Sequence, residues 1–131
     1  MTTGLDDVVA ARTVLSEVDG LAGRLVIRGH SLDELVRTAR FEDVVALLLE
    51  GFFPDAGTDI EAALGRARRE VFAEVERADP ALYDLPPLDA VRALTARIAD
   101  GDDWATGLRL IAAPAVFTPA VIRRRQRLAP I

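Results

Sequence analysis

The sequence predicts an all-α fold with a small β-ribbon near its N-terminus. Three observations lead there. After residue 30, apolar residues recur at three- and four-residue steps over most of the chain, the period of one helix face. Capping signatures open two of these stretches, Ser31-Leu32-Asp33-Glu34 and Thr58-Asp59-Ile60-Glu61. Before residue 30 the pattern is β-branched and apolar around Asp19-Gly20 and Gly23, which is turn chemistry between short strands. The chain has 131 residues, 50% hydrophobic and 28% charged. That suits one domain with a core of its own. The expectation is a single segment, 1–131, with the ribbon over about 5–29 and helices over about 31–126.

The elements follow in order. Val8, Val9, Thr13, Val14, Leu15 and Val18 supply the first extended segment, and Leu25-Val26-Ile27, closed by Gly29, the second. Two short strands alone are marginal in water, so the ribbon must pack on helices. In the first helix Leu32, Leu35 and Val36 share a face behind the Ser31 cap. A second helix over Phe41 to Phe52 is almost wholly apolar, which predicts deep burial, and Pro54 stops it. The longest helix is expected from the Thr58 capping box to about Arg77, with Ile60, Leu64, Ala67, Val71 and Val75 as its stripe. Ala81 to Leu85 form a connector between Asp79-Pro80 and Pro86-Pro87. Pro87 suits the first turn of the next helix, which runs to about Ala99 with Leu88, Val91, Leu94, Thr95 and Ile98 inward. The last helix starts near Trp104 after the acidic turn Asp100-Gly101-Asp102-Asp103, and its core set includes Leu108, Leu110, Ile111, Val116, Val121 and Ile122. Pro114 and Pro119 within it predict a kink or an interruption.

Composition narrows the function. The net charge of -5 disfavours a phosphate-backbone partner, so nucleic acid is not expected. No uninterrupted apolar run reaches the ~18 residues of a membrane span, so no membrane partner is expected either. The N-terminal residues are acidic before their apolar stretch, the wrong sign for a secretory signal. With no cysteine there is no disulfide or thiolate metal site, and a cytoplasmic protein is the default expectation. All 16 basic residues are arginine, which removes lysine Schiff-base chemistry.

Candidate chemistry is sparse. His30 is the one histidine, and Ser16 and Ser31 are the only serines, neither in a nucleophile elbow. His30 has the intrinsic pKa for acid–base work, but its place just before a helix cap fits a half-exposed polar residue as well. Asp102-Asp103 reads as charge complementing a helix N-terminus, and Asp6-Asp7 as a solvated edge. Trp104 and the five phenylalanines read as core. The one strong charge cluster is Arg123, Arg124, Arg125 and Arg127. It is a candidate anion-binding group, and equally a set of cations at a helix C-terminus.

Several ordered fragments carry a resemblance. They are Gly4-Leu5-Asp6-Asp7-Val8, Thr13-Val14-Leu15-Ser16, Val18-Asp19-Gly20, Gly23-Arg24-Leu25, Arg28-Gly29-His30-Ser31-Leu32-Asp33-Glu34-Leu35, Phe41-Glu42-Asp43-Val44, Leu47-Leu48-Leu49-Glu50-Gly51 with Pro54, Pro86-Pro87-Leu88-Asp89-Ala90-Val91-Arg92 and Arg109-Leu110-Ile111-Ala112. In this order and spacing the chain resembles the N-terminal helical segment of the citrate synthase family. The resemblance implies a largely helical, dimeric fold with an N-terminal β-ribbon. It also implies a condensing enzyme in which acetyl-CoA, the family's co-substrate, adds to oxaloacetate, or to a related 2-oxo acid in 2-methylcitrate synthases, in the tricarboxylic acid cycle. The family's catalytic histidines and aspartate lie in motifs such as "L-H-G-G-A-N" and "G-x-G-H-x-x-Y", which have no counterpart in these 131 residues. No catalytic, substrate-binding or metal residue is therefore assigned, and no cofactor is expected to bind this chain. The family commonly has glycine where Arg127 stands, so the left-handed cap after the last helix is expected to be lost. The reading is the N-terminal chain of a split citrate synthase, inactive alone, whose partner is a second citrate synthase-like chain or another copy of itself. The alternatives are a non-catalytic docking or regulatory module and a truncated relic.

Overall fold

The computed structural model describes residues 13–54 and 56–130. Two compact units make up the chain, Met1–Glu50 and Gly51–Ile131. The fold is mostly helical with a small antiparallel sheet, as the sequence predicts.

In the first unit the ribbon has three strands: β1 (Ser16–Asp19), β2 (Arg24–Ile27) and β3 (His30–Ser31). Ser16 pairs with Ile27 and Asp19 with Arg24, and Val26 pairs with Ser31. Val8 and Val9 lie outside the described residues. The Asp19 carboxylate accepts from the Ala22 N–H at 2.9 Å and closes the first turn, which ends on left-handed Gly23. The second turn is Arg28-Gly29, with φ of 50° and 87°. Two successive positive φ angles are what a tight two-residue hairpin needs to match the strand twist. Arg28 accepts that backbone while its guanidinium donates to the carbonyls of Leu47, at 3.2 Å, and Glu50.

Helix α1 (Leu32–Thr38) lies on the sheet and buries Leu35. Ser31 Oγ accepts from the Glu34 N–H at 3.2 Å, the expected cap. The Glu34 carboxylate meets His30 Nδ1 at 3.1 Å. Val36, expected in the core, is 75% exposed. Helix α2 (Phe41–Leu49) is shorter than predicted, because Gly51 at φ 77° turns the chain before Pro54 is reached. Its deep burial is not observed either: Val45 is its buried residue, and Phe41 is 57% exposed. The sheet and α1 of this small unit do not cover a second helix all round.

The second unit is built on α3 (Ile60–Arg77), α4 (Pro87–Thr95) and α5 (Trp104–Arg125). Asp59, not Thr58, caps α3, accepting from Ala62 N–H at 2.9 Å. The predicted stripe is otherwise the observed one, with Leu64, Ala67, Val71 and Val75 buried and Ala63 added. The connector is a single 3-10 turn, Pro80–Asp84, that buries Tyr83. Helix α4 ends at Thr95 rather than near Ala99, and its core contacts are Ala90 and Leu94, with Leu88 facing out. Helix α5 packs along both α3 and α4. Phe117, Leu94, Leu64, Val71, Val75 and Val121 are the largest fully buried side chains between them.

Helix α5 departs from expectation on its core face, and of the kink or interruption expected at its prolines the interruption is not observed. Pro114 and Pro119 do not interrupt it; it runs unbroken over 22 residues. Each proline removes one backbone donor, leaving the carbonyls of Leu110 and Ala115 unpaired. Both those residues are exposed, so water can bond them. Leu110 and Ile122 lie outside the core, 43% and 47% exposed. By length and composition this helix is also apolar enough to cross a membrane, although no uninterrupted apolar run is long enough; close to half of its apolar stretch is buried inside the protein. The aromatic expectation holds for Phe117, whereas Phe41 and Phe52 are exposed. Phe53 meets Trp104 edge-on at 5.4 Å, and its ring sits where a Cβ on Gly107 would come within 3.2 Å.

Candidate functional site

The end of α5 is where the sequence places its one charge cluster, and the backbone there is unusual. Gln126 closes the helix and Arg127 takes φ 60°, the left-handed region. The Leu128 N–H donates to the Arg123 carbonyl at 2.8 Å and the Arg127 N–H to the Arg124 carbonyl at 2.9 Å. These two bonds form a Schellman closure, in which the last carbonyls of a helix are satisfied by a left-handed residue. The left-handed cap is thus retained, contrary to the expectation from the missing glycine. An L-residue pays roughly 1–2 kcal/mol to stand there, and the two hydrogen bonds hold it.

That turn separates the four arginines. Arg123 Nε donates to the Ala129 carbonyl at 2.6 Å and secures the chain beyond the helix. Arg124 lays its guanidinium over the Tyr83 ring, 4.4 Å from the centroid. Its Nε is buried without a hydrogen-bond partner among the described residues. Arg125 Nη1 donates to the Leu85 carbonyl at 3.0 Å, forty residues away along the chain. Arg124, Arg125 and Arg127 then line an open cleft of about 540 Å³ with Pro80, Tyr83 and Asp84. So three of the four arginines converge and Arg123 does not.

Tyr83 is the residue that sequence reading missed. Its hydroxyl donates to the Val75 carbonyl at 2.8 Å, and burial pushes its phenol above the ordinary value, partly offset by the positive charges of Arg124 and Arg97. The signal available was a lone tyrosine between Pro80 and Pro86, an amphipathic ring in a stretch read as mere connector.

The other candidates remain apart. His30 is half-exposed, with Glu34 as its partner. Asp103 caps α5: its Oδ1 accepts from the Thr106 N–H at 2.7 Å and its Oδ2 from the Thr106 hydroxyl at 3.2 Å. The backbone bond from Thr106 is the main reason its carboxyl lies below the ordinary range, helped by Arg109. Asp102 is exposed beside it. Among the described residues no three His, Cys, Asp or Glu side chains gather as a metal would need. A second surface feature lies between α4 and α5. It is an apolar groove of about 720 Å³ whose lining includes Leu88, Val91, Ile98, Leu110 and Pro114.

With this architecture in view, the comparisons give the class. A family profile described as citrate synthase, C-terminal domain, matches residues 4–131. The chain belongs to the citrate synthase family. Among individual relatives, a citrate synthase of Haloferax volcanii is 36% identical over 107 residues, 78% of this chain and 28% of its own length. A citrate synthase of Acidithiobacillus ferridurans is 41% identical over 58 residues, 44% of this chain and 15% of the relative. A citrate/2-methylcitrate synthase of Bacillus subtilis is 44% identical over 52 residues, 40% of this chain and 14% of the relative. The chain therefore spans less than a third of the length of each.

Proposed function

We propose that these residues form the N-terminal scaffold of a citrate synthase-class condensing enzyme, one that joins acetyl-CoA to oxaloacetate or a related 2-oxo acid only when a second polypeptide supplies the catalytic histidines and aspartate. Family membership supports the reaction class. The observation that carries the need for a complement is the apolar groove between α4 and α5. Leu88 is 70% exposed and Leu110 43%, on the helices that otherwise build the core. An exposed apolar surface of this kind marks a contact surface. Coverage of 28% of the Haloferax volcanii relative's length leaves ample sequence to fill it. The His30 and Asp103 environments supply no competing chemistry: one makes a surface hydrogen bond with Glu34 and the other is a helix cap.

The test is complementation. The 131-residue chain is mixed with a polypeptide covering the remaining length of a citrate synthase relative, and release of the coenzyme A thiol from acetyl-CoA and oxaloacetate is followed. Turnover is expected from the mixture and not from the chain alone. Leu88→Asp with Leu110→Asp should abolish it by placing charges in the contact. Turnover by the isolated chain would refute the proposal. Stable binding with no gain in activity would reassign the chain to a docking module.

A further inference from the structure

We infer that the cleft under the end of α5, lined by Tyr83, Arg124, Arg125 and Arg127, is a binding site for a compact, multiply charged oxyanion: a diphosphate-type group or a polycarboxylate. Some exposed arginines of this chain are neutralised by an acid beside them. On its surface Arg24 pairs with Glu17 at 3.7 Å, Arg40 with Asp43 at 3.7 Å, Arg77 with Glu74 at 3.0 Å and Arg92 with Asp89 at 3.2 Å. Acids outnumber bases 21 to 16, so partners are plentiful. The three arginines of the cleft, like several others on the helix faces, have no ion pair among the described residues, but here they gather in one place where Asp84 is the one carboxylate in the lining. Three guanidinium groups against one carboxylate and the roughly half negative charge of a helix C-terminus leave about +1.5 facing the opening. Like charges gathered in this way repel one another, and an anion of charge two or more relieves that repulsion.

Two of the donors are also held in place. Arg124 is stacked on Tyr83, and Tyr83 is tied to Val75. Arg125 is fixed by one nitrogen to the Leu85 carbonyl, which leaves its other N–H groups to a ligand. The backbone of Arg127 is set by the Schellman turn. Fixed guanidinium forks suit the paired oxygens of phosphate and carboxylate groups. The ligand is compact because Arg124 already covers the Tyr83 ring, so that face is not open for a base or other flat apolar group. This site is independent of the condensation reading, and neither needs the other.

The test is calorimetric titration of the full chain at low salt with three probes: inorganic pyrophosphate, tricarballylate and acetate. Saturable one-to-one binding of pyrophosphate or tricarballylate is expected, with acetate far weaker. Tighter pyrophosphate identifies a phosphoryl ligand, and tighter tricarballylate a polycarboxylate. Affinity should fall as sodium chloride is added. Arg127→Gly removes one guanidinium while easing the backbone, so a loss of about tenfold or more cannot be laid to unfolding. Arg66→Gln, a charge loss on the exposed face of α3, is the control and should leave affinity unchanged. Failure of both multivalent probes to saturate, or equal losses in the two variants, would overturn the site.

Discussion

Removing one oxygen, in Tyr83→Phe, tests the packing that supports the cleft. The hydroxyl donates to the buried Val75 carbonyl at 2.8 Å. Deleting it loses a hydrogen bond and strands an acceptor in the core, at a cost of about 1–2 kcal/mol. For a chain of this size that is a fall of roughly 4–8 °C in Tm. The ring remains, so Arg124 keeps its seat. Alkaline pH offers an independent check on the same residue. The chain has no lysine, no cysteine and one tyrosine, which makes Tyr83 the side chain that titrates on the way from about pH 9 to pH 11.5. Its pKa is raised in the folded state by burial. Stability from the neutral phenol is therefore intact below the unfolded value near ~10 and declines as pH rises through the higher folded value. The slope is at most about 1.4 kcal/mol per pH unit for one proton. Urea unfolding followed by Trp104 fluorescence, run for both proteins from pH 7 to 11, measures this. The wild-type advantage over Tyr83→Phe should be full at pH 7 and shrink above pH 10. Equal stability at pH 7, or parallel curves to pH 11, would refute the assigned role.

Three further outcomes follow from the geometry. Phe117→Ala empties a fully buried position among α3, α4 and α5 and should cost about 3–5 kcal/mol in urea unfolding; a loss under 1 kcal/mol would mean the second unit is not packed as described. Arg127→Gly should stabilise the chain by about 0.5–1 kcal/mol, because glycine enters the left-handed region without the penalty of a Cβ; thermal unfolding reads it, and a lower Tm would contradict the cap. Asp103→Asn keeps an N-cap acceptor but cannot ionise. The depressed pKa of Asp103 adds stability above the usual carboxylate range that is lost as pH falls through the folded value, so wild type and variant should converge in acid once the pH is below that value. Curves that keep a constant separation from pH 7 to acid would remove the carboxylate from that role.

Local chemistry was written plainly in the sequence. Capping side chains, turn residues and the three- and four-residue stripe gave the helices because each acts within one turn of chain: Ser31 caps α1, Pro87 opens α4, and Leu64, Ala67, Val71 and Val75 line α3. Family resemblance was equally legible, being carried by the order of short motifs. Which apolar side chains are covered was not, since burial depends on the neighbour and not on the residue. Leu88, Leu110 and Phe41 have the same hydrophobicity as buried residues and lie on faces that no described element covers. The left-handed Arg127 was hidden because two hydrogen bonds between helix end and tail outweigh the steric preference of a single residue. The arginine run named a charge, but only packing chose its geometry. Tyr83, forty-one residues upstream, draws Arg124 onto its ring, and Leu85 anchors Arg125. A contact between residues distant in the chain is a property of the folded packing, and no local pattern encodes it.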